Sequence, residues 1–440
     1  MMDVHFSKYL LIKENWPKEG YDLLFSTLTK AVVILEQKFT KSIKEGQIES
    51  VPKEMIGTLL DEGILTNLSD ERQYAEYFFT KGKFNSRALG AMILTTYDCN
   101  FKCEYCVEND IKDRIEDMTD EVVRNVIQWF HRKINETKPE VIEIVYYGGE
   151  PLLNKRPIFD ISRSLFDSAL SRNLTFSFGI ITNGSIGLSS HEMEELKIYG
   201  LNSIQVTIDG MPTIHNIRRP FKDGGGSFDI ILSNLRQFVE FVPVILRINI
   251  DRGNANNIPA LLDLLYKEGL SSKALLDFAP RIKSSNAPHL CDMNIMPDKT
   301  FIDTLNLLLP KARELGFSVS RRFVDSGQCT LQTDFLFIID SIGDIYKCSG
   351  LVGRKEFSVG NVKDARLKSN FIEFEMMDRW KTCLDCPYVP LCRGGCLYKS
   401  LVTFGDPLKR VCEKGLLEEG VMVVLTNSLY DNPKVKEVLK

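Results

Sequence analysis

Between about residue 89 and residue 316 the chain alternates short apolar runs with longer stretches in which apolar residues recur every three or four positions. That pattern predicts strands alternating with helices, and hence β-α units around a parallel sheet. The predicted strands are 91–96, 141–147, 175–182, 203–208, 244–250 and 275–280. In the intervening stretch from Thr119 to Ile134, Thr119 is placed to cap, Asp120 and Glu121 suit the first turn, and Val122, Val123, Val126, Ile127 and Phe130 form one stripe. Pro297 and Gly316 bracket the last helix of the series. Six such units predict an α/β partial barrel of the (β/α)6 TIM type.

The pattern differs on either side. Residues 1–88 carry three β-type runs, 9–12, 21–25 and 31–35, with turn material such as Lys18-Glu19-Gly20 between them. Helical stretches follow: one near 36–44, one after Pro52 with Met55, Ile56, Leu59 and Leu60 on one stripe, and a charged one over 69–83. This predicts a small winged-helix-like domain. Residues 317–440 lose the alternation, are loop-rich and hold seven of the 11 cysteines. Regular packing would stabilise such a segment poorly, so metal is the expected organiser. Three domains result: 1–88, 89–316 and 317–440.

Charge narrows the partners. Lys+Arg of 55 against Asp+Glu of 59 gives a net charge of -4 with no basic block, which argues against nucleic acid as the main partner. The first residues lack a basic region followed by an apolar run, and no stretch approaches the ~18 apolar residues of a membrane helix. A cytoplasmic protein with no membrane partner is expected, and in that reducing compartment cysteines are more naturally metal ligands than disulfides.

Cys99, Cys103 and Cys106 follow the first barrel strand in a C-x3-C-x2-C spacing, on one tight loop at the carboxyl end of the sheet, where barrel active sites sit. Three thiolates so placed can hold three irons of a [4Fe–4S] cluster and leave the fourth open. A zinc knuckle is the rival, but it wants a fourth Cys or His close by, and Phe101 and Lys102 to Tyr105 supply none beyond Cys103. Farther on come Gly148-Gly149-Glu150 after the second strand, Thr182-Asn183-Gly184 after the third, Thr207-Ile208-Asp209-Gly210 after the fourth, and His215-Asn216-Ile217-Arg218-Arg219-Pro220.

The cysteine spacing, with the aromatic Tyr105 before the third cysteine, resembles the hallmark of the radical S-adenosylmethionine (SAM) superfamily, and the later motifs resemble its SAM-binding elements. The resemblance implies that Cys99, Cys103 and Cys106 ligate the catalytic cluster. Gly148, Gly149 and Glu150 would receive the SAM amino group, and Tyr105, Asn183, Thr207 and Asp209 would lie about the cofactor. Arg219 would pair with the SAM carboxylate, with Arg218 as a substitute. Asn216 stands where the family usually has Asp, which puts a supporting contact in doubt.

Cys329, Gly343 and Cys348, followed by Cys383-x2-Cys386-x5-Cys392-x3-Cys396 and Cys412, resemble the seven-cysteine SPASM pattern of radical SAM peptide maturases. By that resemblance Cys383, Cys386, Cys392 and Cys412 complete one auxiliary [4Fe–4S] cluster. Cys329, Cys348 and Cys396 hold a second that is one ligand short. A pair of zinc ribbons is the structural rival. Cys291 or an oxygen ligand could complete the second cluster; the expectation for Cys291 is a bystander thiol, with an open iron for a substrate thiolate as the alternative.

The implied reaction is reductive cleavage of SAM to a 5'-deoxyadenosyl radical that oxidises a substrate carbon. Electrons would come from a flavodoxin or ferredoxin-type reductant. The N-terminal segment resembles the peptide-recognition element of ribosomal-peptide maturases, in which a leader peptide adds as a strand to a sheet edge. Together these imply thioether or carbon–carbon crosslinking of a precursor peptide. The alternatives are a sulfatase-maturating, formylglycine-forming enzyme, whose usual Asp after the cysteine matched by Cys348 is Ser349 here, and a non-catalytic iron–sulfur electron carrier.

Overall fold

A computed structural model describes residues 4–85, 87–106, 116–282, 294–325, 329–364 and 366–440. Cys291 lies outside the described residues. At the centre are six parallel strands, β6 (Ala88–Leu94), β7 (Val141–Tyr147), β8 (Thr175–Thr182), β9 (Leu201–Thr207), β10 (Val244–Ile250) and β11 (Ala274–Pro280), paired in sequence order. Helices between them include α4 (Asp120–Thr137), capped by Thr119, whose side chain accepts from the Val122 amide. The six predicted units are all present.

Strand alternation separates two environments. On β10, Val244, Leu246, Ile248 and Ile250 are fully buried on one face, whereas Ile245, Arg247 and Asn249 on the other are half-buried. On β7 the Tyr146 hydroxyl meets Ser162 of α5 (Arg156–Arg172) at 2.8 Å, so the fully buried face is the one under the helices. The inner face is polar, with Arg247 and Asn249 half-buried and Asp277 buried between Arg247 and Arg322.

The sheet does not stop at the predicted limits of its segment. Short β12 (Ser318–Val319) pairs with β11, and β13 (Leu336–Ile339) pairs parallel to β6, followed by antiparallel β14 (Asp344–Tyr346) and β15 (Gly360–Asn361). The ten-stranded order runs from β12 to β15 without closing. The cysteine-rich segment is thus stitched to the barrel through a shared sheet.

The N-terminal segment has β2 (Leu10–Lys13), β3 (Tyr21–Ser26) and β4 (Val32–Glu36) as an antiparallel sheet, with α1 (Gln37–Lys44), α2 (Lys53–Asp61) and α3 (Glu71–Phe84). A two-residue pair, β1 (His5–Phe6) with β5 (Leu65–Thr66), was not foreshadowed in the sequence pattern. Both sheet faces are covered. Leu24 and Leu35 join Ile43, Val51 and Leu59 in a local core, while Leu11, Leu23 and Phe25 belong to the main core of the molecule. This segment is packed into the body of the protein and is not a free appendage.

Candidate active site

Beyond β6 the chain turns through Thr95 and Thr96 into the loop that carries Cys99, Cys103 and Cys106. The loop is held from two sides. From one, Lys102 and Glu104 donate their amides to the carbonyls of Pro220 and Arg218, and Phe101 stacks edge-on against Phe221 with centroids 5.0 Å apart. From the other, Gly149 and Glu150 donate to the carbonyls of Thr96 and Asp98 at 3.1 and 2.8 Å. A Cβ on Gly149 would run into the carbonyl oxygens of Tyr97 and Asp98, and Gly148 adopts φ 139°, so this approach requires both glycines.

Glu150 is completely buried. Its carboxylate accepts from the Thr182 hydroxyl at 2.7 Å and from the amides of Asn183 and Leu152 at 2.6 and 3.0 Å. Burial pushes its pKa up, and these three donors oppose that shift. All of its described partners are protein groups, so it ties the ends of β7 and β8 together. Asn183 in turn reaches Asn100 at 2.7 Å and Cys99 Sγ at 3.8 Å.

Opposite stands a charged cluster. Tyr105 donates its hydroxyl to Asp209 and accepts from Arg219 Nη1 at 3.0 Å. Asp209 also accepts from the Asn249 amide at 3.0 Å. Arg219 retains a buried Nε–H with no partner. Arg218 places its Nη1 on both oxygens of Asp251 at 3.0 Å, where Arg281 joins it at 3.0 Å, and both of these arginines likewise keep a buried Nε and Nη2 with no hydrogen-bond partner. Thr207 lies at the end of β9 and is buried.

His215 organises this side. Its Nδ1 accepts from the Asp209 amide at 3.2 Å, so its Nε2–H faces Ser227 Oγ at 3.1 Å, and that hydroxyl donates to the Arg219 carbonyl at 2.6 Å. Burial first, then Arg219 and Arg218, hold its pKa down to about 3, so the ring is neutral. Asn216 accepts the Ser227 and Phe228 amides on Oδ1, both at 2.9 Å, at the start of α8 (Phe228–Phe241). Only an oxygen is needed there. Asn216 thus fixes the start of α8.

In the C-terminal segment Cys383, Cys386, Cys392 and Cys412 line one cavity of about 390 Å³ together with Arg410, whose Nη1 lies 2.6 Å from Cys383 Sγ. Among the described residues, no three His, Cys, Asp or Glu side chains converge to single-ion spacing. Cys329, Cys348 and Cys396 form a second set, mutually close enough to influence one another's charge, and burial pushes the Cys348 thiol up to about 12.

Sequence reasoning missed three groups that hold these sites in place. Arg379 bonds to the carbonyls of Gly394, Pro407 and Lys409 and to Ser400, fastening the strands of chain that carry Cys396 and Cys412. The Tyr97 hydroxyl donates to Asp340 at 2.7 Å and so links the Cys99 loop to the β13–β14 turn. Burial raises the pKa of Asp340 to about 6. Asp251 anchors Arg218 and Arg281. None of the three lies in a spaced motif; Asp251 follows directly on β10, at the sheet end where a barrel site is expected.

The profile of the Radical SAM superfamily matches residues 93–265, the span that contains this loop and its partners. This is a radical SAM domain. The radical SAM chain is 23% identical over 330 residues to a cysteine-type anaerobic sulfatase-maturating enzyme of Clostridium novyi, covering 68% of this chain and 85% of that one. It is 24% identical over 342 residues to the radical SAM cyclopropyl synthase TigE of Paramaledivibacter caminithermalis, covering 69% and 67% respectively. Its fold is similar to that of anSMEcpe solved with bound AdoMet, with TM-score 0.59 and 19% identity over 80% of this chain and 98% of that one.

The protein is therefore a radical SAM enzyme, of a family that works with a [4Fe–4S] cluster and SAM. The donor set fits both: three cysteines share the loop of residues 99–106, and Arg218, Arg219 and Arg281 beside it keep buried N–H groups with no hydrogen-bond partner, a cationic cluster suited to an anionic group. Among the described residues no helix is long and apolar enough to cross a membrane.

Proposed function

We propose that this enzyme oxidatively modifies a ribosomally made peptide, recognised through its leader, by forming a thioether or carbon–carbon crosslink. The observation that carries this reading is the N-terminal sheet. Its order is β2-β3-β4, which leaves the outer edges of β2 and β4 without a strand partner among the described residues, and an extended peptide adds to such an edge.

Cys99, Cys103 and Cys106 would hold the catalytic cluster, the backbone of Gly148 and Gly149 would meet the SAM amine, and Arg219 would take its carboxylate. Tyr105, Asn183, Thr207 and Asp209 would border the cofactor, and the Glu150 carboxylate would join Gly148 and Gly149 at the SAM amine while its bonds to Thr182 and Asn183 fix the loops that frame it. Cys383, Cys386, Cys392 and Cys412 would hold one auxiliary cluster and Cys329, Cys348 and Cys396 another. When bound, the cluster and SAM supply a 5'-deoxyadenosyl radical able to take hydrogen from an unactivated carbon. The chain's share is to orient and enclose, and Arg247 and Asp277, paired at 2.7 Å, make the inner face of the sheet polar. Residues 1–88 would recognise the peptide, 89–316 carry the radical chemistry and 317–440 hold the auxiliary clusters. A flavodoxin or ferredoxin-type reductant would supply the electrons.

A second reading has a specific observation behind it, the similarity to sulfatase-maturating enzymes in sequence and to anSMEcpe in fold. In that case the substrate is a sulfatase-type peptide. Ser349 after Cys348, in place of an Asp, weighs against it.

The test is anaerobic reconstitution with iron and sulfide analysis, then turnover with dithionite, SAM and either a precursor peptide encoded beside the gene or a Cys-containing sulfatase peptide. About twelve irons, 5'-deoxyadenosine and loss of hydrogen with cysteine sulfur retained support crosslinking. Loss of the cysteine sulfur from the sulfatase peptide supports the second reading.

A further inference from the structure

The stretch Cys383 to Pro387 bears two thiols of the four-cysteine cavity, and its backbone carbonyls are taken up from an unexpected place. The Tyr9 hydroxyl donates to the Leu384 carbonyl at 2.8 Å, and the Thr27 hydroxyl lies 2.6 Å from the Pro387 carbonyl. Lys8 pairs with Asp385 at 2.7 Å. Beneath them Tyr9, Leu28, Ala75 and Phe79 form one apolar cluster with Trp380 and Val389, against which Cys383 and Cys386 pack.

Tyr9 directly precedes β2 and Thr27 directly follows β3, and the Thr27 amide donates to the Tyr9 carbonyl at 2.9 Å. Both grips therefore sit at the same end of the β2–β3 pair. Resting on the auxiliary-cluster reading above, we propose that the N-terminal sheet is a structural part of that cluster site, with Tyr9 and Thr27 as positioning residues for the loop carrying Cys383 and Cys386. A peptide strand added to the sheet stiffens the same hydrogen-bonded lattice that ends on this loop. Loss of either grip is therefore read at the cluster, because hydrogen bonding and solvent exposure around a cluster set its potential.

The experiment uses full-length, anaerobically reconstituted protein and the variants Tyr9→Phe and Thr27→Val, each of which removes one hydroxyl and keeps the shape. Midpoint potentials of the clusters are followed by electron paramagnetic resonance, and amide exchange across residues 383–388 by mass spectrometry. The expected result is a shifted midpoint for one cluster only, with exchange over this stretch roughly three- to tenfold faster and the other clusters as in wild type. Should a variant fold poorly, Lys8→Met, at the exposed end of the same grip, gives a smaller change of the same kind. Midpoints and exchange equal to wild type in protein that holds its full iron would overturn the inference alone. Absence of iron from the four-cysteine site in wild type would overturn the cluster reading and the inference with it.

Discussion

Around the Cys99 loop the polar groups are largely committed to one another: Glu150 to three donors, Asp209 to Tyr105 and Asn249, His215 to Asp209 and Ser227. Around Cys383, Cys386, Cys392 and Cys412 the protein instead leaves a hollow of about 390 Å³, in a segment of short helices and turns. The first site stands at the end of a six-stranded parallel core with regular pairing, which would give its cofactor a prepared frame. The second has little regular structure to shape it, and the group it holds completes its core. On the proposed function, one protein would thus contain a site that uses metal for chemistry and a site in which metal also serves architecture.

The largest effect expected from this contrast is on stability. Cys392→Ser with Cys412→Ser should remove about four irons and lower the unfolding midpoint by about 10 °C or more, as loss of a structural metal site does. Changing Cys99, Cys103 and Cys106 together to Ala should abolish SAM cleavage yet move that midpoint by only a few degrees and spare the auxiliary iron. Anaerobic calorimetry with iron analysis decides it; equal destabilisation in the two variants would erase the distinction.

Within the prepared frame, Gly149→Ala sharpens the point. Its Cβ must displace the carbonyls of Tyr97 and Asp98, two residues that lead into Cys99. SAM cleavage should fall by about a hundredfold with iron content unchanged, since small misplacements near a reacting centre cost that much. Glu150→Gln places an amide N–H against the Asn183 amide or loses an acceptor for Thr182. A destabilisation of about 1–3 kcal/mol in denaturant titration is expected.

How far the sequence foretold these regions differs between them too. The six strands were legible because apolar runs bounded by turn residues have few other readings. The first of them ends at Leu94, short of the expected Thr96, because Thr95 and Thr96 leave the strand to receive the Gly-Gly turn: the Thr96 carbonyl accepts Gly149. The cysteine spacings marked both sites without structure. What stayed hidden depends on contacts distant in sequence. Nothing local says that β13 lies beside β6, that Arg379 gathers three carbonyls, or that Leu23 and Phe25 face the main core while Leu24 faces away. Asn216 is a further case: its oxygen accepts the amides of Ser227 and Phe228, a contact that no local pattern announces.

The smallest effect expected is a change in how stability depends on pH, and it tests whether the frame is set before any cofactor arrives. His215 is buried and neutral, with its pKa held down to about 3 against an ordinary value near 6.5. The unfolded chain takes up a proton there below about pH 6.5 and the folded chain does not until about pH 3. The group's contribution is therefore present above pH 6.5 and lost as pH falls towards 3. Asp340, raised to about 6, acts in the opposite sense, favouring the folded state as pH falls through that value, and partly offsets the slope. In His215→Gln the first term vanishes while the second persists. Stability of the apo variant, measured by denaturant titration at steps between pH 7 and pH 4, should therefore fall less with acid than that of the apo wild type. Parallel curves would mean that His215 takes up its proton in the folded protein, and that the chain from Asp209 through His215 and Ser227 to Arg219 is not fixed until the cofactor binds.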